Sequence, residues 1–167
     1  MTIPPIGEWN LIIYNHERGR YFHEHRMEML GMLLKICMSD SSRRNISIKS
    51  FYNWMKPAVY HDQILLIKTR MIKEDNGYVT WAWVDDNTLD KYLTESRFTL
   101  HPSDWNEGPH LIIMDFCVNG PSYEAIRMLY DIRESLLSSG VHSINVCVRD
   151  ELGEIIKVKR WESEKNA

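Results

Sequence analysis

One stretch constrains the fold more than any other: residues 110–120, HLIIMDFCVNG. Leu111, Ile112, Ile113, Met114 and Phe116 are apolar and close around a single acid, Asp115. A short apolar run rich in Ile and aromatics, ended by Asn-Gly, reads as a buried strand. The segment from Ser122 to Ser138 follows, with apolar Ile126, Leu129, Tyr130, Ile132 and Leu136 at helical spacing. SINVCVRD then reads as a second strand. Strand, helix and strand in this order form a right-handed βαβ crossover. A carboxylate inside such a strand needs a partner, because unpaired buried acids are rare.

The rest of the chain fits around that unit. Residues 17–38 carry Phe22, Met29, Leu30, Leu33, Leu34 and Cys37 at three- and four-residue steps, a helix. SDSSRRN breaks it. ISIKSFYNWMKPAV is read as a second helix that runs to about Met55 and is ended by Pro57. QILLIKT and YVTWAWV read as strands, with Asn76-Gly77 between them as a hairpin turn. NTLDKYLTES reads as a short helix capped by Asn87 or Thr88. GEIIKVKRW closes the chain as a hairpin partner of SINVCVRD. WNLIIY, near the start, reads as a short strand or a docking arm. The order predicts an α/β (α+β) fold, one mixed sheet with helices packed on it. The 167 residues suffice for one domain with its own core.

Composition sets bounds on partners. A net charge of -3 gives no basic footprint, so nucleic acid is not expected as a partner. Three widely spaced cysteines, with no C-x-x-C pair, indicate neither a zinc site nor a disulfide framework; a reducing cytoplasm is expected. The N-terminus has no signal-peptide pattern. No apolar run approaches membrane-spanning length.

Several groups are candidates for chemistry. Gly120, Pro121 and Ser122 form a strand-to-helix turn whose backbone N–H groups suit phosphate or phosphopantetheine, with Pro121 at the first helical position; an ordinary turn uses the same residues. Cys117 shares a strand face with Asp115. A nearby carboxylate disfavours its thiolate, which points to an inert buried thiol. HEHR (23–26) lacks zincin spacing, since Met27 stands where the second His belongs, so no metal site is expected. His61 and His101 are isolated. His110, five residues before Asp115, is expected on the other strand face, roughly 16 Å away. Arg43 and Arg44 follow a Ser pair, as an exposed loop or an anion site.

MSDSSRRN, KPAVYHDQILLIKT, YVTWAWVDDNTLDKYL and DWNEGPHLIIMDF, in this order, resemble the RTX toxin-activating lysine acyltransferases, from about Gly31 to Trp161. The resemblance implies a GNAT-like bent mixed sheet flanked by helices, splayed to receive a thioester. It implies residues 1–30 as an extension and helix start, packed on a domain of residues 31–167. It implies acyl transfer from acyl carrier protein to an amine, with acyl-ACP or acyl-CoA as donor, no bound cofactor, and self-association as a homodimer. The family's catalytic Asp falls on Asp115, its strand-end Trp on Trp83, and its Asp-Trp loop on Asp104 and Trp105. Its catalytic His falls on Arg43, with Arg44 and Asn45 matching the next two residues. Arginine does not deprotonate in a protein, so Arg43 is no general base.

Three readings follow. An acyltransferase with altered chemistry would hold its substrates in line by proximity, with Asp115 and Arg43 at the reacting centre and Trp83, Arg44, Gly120 and Ser122 binding donor and carrier. A second His, such as His25, would stand in for the missing one. A non-catalytic homologue would bind a ligand or protein, with Arg43 salt-bridged to Asp115.

Overall fold

The structure, a computed structural model, describes residues 9–10, 12–13, 19–20, 25–70 and 72–163. Among these, six strands form one sheet in sequence order. They are β1 (Gly19–Arg20), β2 (Ile64–Ile67), β3 (Gly77–Val84), β4 (His110–Val118), β5 (Ser143–Arg149) and β6 (Ile155–Glu162). The helices are α1 (Arg26–Ser39), α2 (Ile48–Tyr60), α3 (Asp86–Thr94) and α4 (Tyr123–Ser138). Only β4 and β5 run parallel, joined by α4 as the crossover; the other neighbours are antiparallel. The mixed sheet with flanking helices is the fold that the sequence predicts.

The two sheet faces bury different clusters. Val79, Trp81, Trp83 and Leu111 pack under Ala125, Met128, Ile132 and Leu136 of α4. On the other face, Tyr78 and Cys117 pack against Met29, Leu33 and Cys37 of α1 and Phe51, Met55 and Val59 of α2. Ala82, Val84 and Ile112 lie under Leu89 and Tyr92 of α3 and under Trp105. Period-two alternation along β3 and β4 sorts the side chains between the faces.

Several local expectations change. The first helix begins at Arg26, and Gly19–Arg20 instead pair with Ile67 and Leu66 on the edge of β2, whose backbone groups need a partner; Phe22 lies outside the described residues. Trp9, Asn10, Ile12 and Ile13 are helical rather than a strand, and Leu11 and Tyr14 lie outside the described residues. Pro57 lies inside α2 rather than ending it. Its missing N–H removes one helix bond, but Pro57 and Ala58 are followed by a turn whose N–H groups still reach Pro57 O and Ala58 O. Ser47 caps α2 through Ser50 N at 3.1 Å. α3 is capped by Asp85, not Asn87 or Thr88: its Oδ1 accepts from Thr88 N at 2.8 Å.

The β2–β3 connection is not a two-residue turn. Ile67 pairs with Gly77, so residues 68–76 form the loop. Asn76 braces it: Oδ1 accepts from Thr69 N at 2.9 Å and Nδ2 donates to Asn119 O at 2.8 Å. Gly77 is required by close packing, since a Cβ there would sit 2.7 Å from Cys117 O.

Candidate active site

Two irregularities in β4 build the site. First, Thr80 pairs with Asp115 but Trp81 pairs with Ile113, so Met114 bulges out of the register. Before the bulge Ile113 faces α4; after it Asp115 faces α1. The bulge also sets His110 on the same face as Asp115, opposite to the face that simple alternation predicts. Second, β4 and β5 pair only from His110↔Ser143 to Ile112↔Asn145. Beyond that point the strands part. Tyr92 of α3 bridges the start of the split: its hydroxyl donates to Ile113 O and accepts from Cys147 N, each at 2.8 Å.

Asp115 is buried on the α1 side of this split, and both carboxylate oxygens are engaged. Arg43 Nη2 donates to Oδ1 at 2.8 Å. Tyr78 donates its hydroxyl to Oδ2 at 2.5 Å. Arg43 Nη2 also reaches Phe116 O at 3.3 Å. Asp40 fixes the loop that carries Arg43, accepting from Ser42 N at 2.9 Å and Arg43 N at 3.1 Å. Burial works against the Arg43 guanidinium, but the Asp115 carboxylate outweighs it and holds its pKa above the ordinary arginine value. Burial, then Asp115, raises the Tyr78 phenol, which stays a donor. Burial pushes the Cys117 thiol up to about 12, so it is no nucleophile at neutral pH.

On the opposite face lies an apolar cavity of about 400 Å³, within the range of small-molecule sites (~300–1,000 Å³). Val79 and Trp81 of β3, Ile113 and Phe116 of β4, Val146 and Val148 of β5 and Ile126, Leu129 and Tyr130 of α4 line it. Ile126 and Tyr130 are the two α4 apolar positions that stay about two-fifths exposed, because they face this space. Lys157 and Lys159 of β6, with Arg133, bring cations to its rim. Arg133 lies over Tyr130 and Trp161, 4.8 and 5.5 Å from the ring centroids. Residues 115 and 116 point to opposite faces, so the acid cluster and the cavity share one segment of backbone.

The structure brings Arg43 and Asp115 together but not the other candidates. Arg44 is exposed beside Arg43. Trp83 is fully buried, its Nε1 donating to Asn10 Oδ1 at 2.9 Å. Gly120 has φ +107°, the left-handed backbone that favours glycine. Ser122 caps α4 without a side-chain bond, and Pro121 lies outside the helix. Glu124 in the first turn of α4 accepts from Arg70 N at 2.9 Å, which puts a carboxylate where an anion was expected. Asp104 lies in a one-turn 3-10 helix, and Trp105 is buried beside His61. His25 sits at the N-terminal end of α1, paired with Glu28. The 14-residue helix separates it from Arg43 by about 20 Å, so it does not replace the missing His. His110 bonds Ser143 and Asp86, at 2.7 and 2.9 Å. Among the described residues no group of His, Cys, Asp and Glu could hold a metal, and no helix is long and apolar enough to cross a membrane.

Sequence reasoning missed Tyr78, Tyr92 and the cavity. Tyr78 and Tyr92 carry no local pattern that marks them. Only the strand register and the split make them neighbours of β4.

A bulged strand, split from its parallel neighbour and flanked by an apolar cavity, sets the acid cluster and the cavity together at one place in a mixed α/β sheet. The RTX toxin acyltransferase family model matches residues 22–162, and the chain belongs to that family. Among solved structures, one titled as the crystal structure of acetyltransferase shares 12% identity, with 77% of this chain and 78% of that chain covered and a TM-score of 0.41. An N-acetyltransferase from Staphylococcus aureus Mu50 also shares 12% identity, covering 77% and 80%, with a TM-score of 0.36. No curated protein matches the chain.

Proposed function

We propose that this chain moves an acyl group from a carrier-bound thioester to an amine, with the alkyl tail in the cavity under α4. The observation that carries the reading is the apolar cavity of about 400 Å³ beside the β4–β5 split. Its lining suits an alkyl chain: each buried methylene is worth about 0.8 kcal/mol. The tail's thioester then lies in the split. In this reading a backbone N–H at the Met114 bulge, where the ladder is interrupted, is the donor for the carbonyl oxygen. The amine approaches from the Asp115 side. Its nitrogen bonds to the thioester carbon, the C–S bond breaks, and the amine proton leaves through Asp115 to the departing thiolate. The products are an amide and a thiol. Arg43 takes no proton; it orients Asp115, and proximity supplies the larger share of the rate.

The donor is acyl-ACP or acyl-CoA, and the acceptor a protein lysine or a small amine. Arg133, Lys157 and Lys159 suit an acidic carrier protein. The three free thiols suit a reducing cytoplasm.

Incubation of the protein with acyl-ACP thioesters of several chain lengths and an amine tests this. Thiol release with amide formation is expected, reduced by about 10²–10⁴-fold in Asp115→Asn. No thioester loss at any chain length overturns it. A second reading rests on Asp115 itself, whose two oxygens are already taken by Arg43 and Tyr78. In that reading the groove binds without catalysis. A stoichiometric complex that leaves the thioester intact and survives Asp115→Ala would favour it.

A further inference from the structure

The N-terminal arm lies before residue 22, where the family match begins. Yet Trp9, Asn10 and Ile13 are all buried. Trp9 packs on Trp83 with ring centroids 4.9 Å apart. Asn10 Oδ1 accepts from the indole N–H of both Trp81, at 3.1 Å, and Trp83, at 2.9 Å. One side-chain oxygen therefore ties the arm to two buried residues of β3.

These contacts set Ile13 against the cavity. Ile13 lines it on the β3 side and is 3% exposed. Val148, another lining residue, is 47% exposed and pairs with Lys157 of β6. A tail whose thioester lies in the β4–β5 split runs over β4 and meets Ile13 at the β3 side of the cavity.

We infer that the arm is the chain-length stop of the cavity: Ile13 ends the space open to the acyl tail, and Asn10 is the positioning residue that holds it there. This rests on the reading of the cavity as the acyl site. Affinity then rises about fourfold with each methylene until the chain meets Ile13, and added carbons gain nothing beyond that.

Saturated fatty acids of increasing length, titrated calorimetrically against the full chain, test the stop. The unmodified protein should show a break at one chain length. Ile13→Ala should move the break longer by about two carbons, the space the truncation frees, and Ile13→Trp should move it shorter. Opposite shifts do not arise from loss of folding. Asn10→Ala should blur the break, and Asn10→Asp, still an acceptor for both indoles, should restore it. A break that stays put in both Ile13 variants overturns the stop alone. If the unmodified protein neither binds a fatty acid of any length nor consumes an acyl thioester, the reading of the cavity fails and the stop with it.

Discussion

At the scale of single residues, Asp115 is held by one cation and one phenol, and each partner has a different cost of removal. The Asp115 side chain is 7% exposed and that of Arg43 21%. Arg43→Met leaves a carboxylate in an apolar setting with Tyr78 alone, and should cost about 3 kcal/mol in urea unfolding. Asp115→Asn removes the charge along with the need for a cation, and should cost less. His110 supplies a pH dependence. Burial, ahead of the neighbouring His142 and Arg160, depresses its pKa below 6.5, although Asp86 pulls the other way. As pH falls, the unfolded chain therefore takes up this proton first. The stabilisation is complete above about pH 6.5 and is lost as pH falls toward the folded value. Thermal melts between neutral and mildly acid pH should show that loss, reduced in His110→Gln. The pairing of Arg43 with Asp115 was legible in sequence, because a lone acid in an apolar strand demands a cation and the resemblance placed one opposite it. Tyr78 was not legible, because its place beside Asp115 comes from the antiparallel register.

At the scale of elements, the β4–β5 split is the feature on which the site depends, and Tyr92 is the group that bridges it. Removing its hydroxyl leaves Ile113 O and Cys147 N each without that partner. Tyr92→Phe should cost about 1–3 kcal/mol, and amide exchange at Cys147 should quicken. Arg149 adds to the join by donating to Tyr92 O and Glu95 O, each at 2.6 Å, near the C-terminal end of α3. The strands and helices themselves were legible from periodicity, because burial on one face writes itself into sequence spacing. The bulge at Met114 was not. It inverts the side-chain alternation of β4, which is why His110 and Asp115 share a face that period-two counting separates. Pro57 misled for a related reason: the cost of a proline inside a helix is local, and the packing of Ala58 and Val59 on the sheet outweighs it.

At the scale of the whole molecule, one sheet keeps polar chemistry and apolar space apart, with Asp115 on one face and the cavity on the other. The arm joins its far end to the centre of β3 through Asn10. Asn10→Ala should leave the Trp81 and Trp83 indole N–H groups without their shared acceptor, and tryptophan emission should shift to longer wavelength as water reaches them. The sequence by itself determined the βαβ unit, the mixed sheet, the family and the need of Asp115 for a partner. The family follows from the resemblance of four stretches, and the rest from local spacing or from the cost of burying a charge. Only the tertiary structure decided the extent of the β4–β5 pairing, the face on which each side chain lies, and the cavity closed by Ile13. These depend on register and on contacts between residues far apart in the chain, which no local pattern encodes.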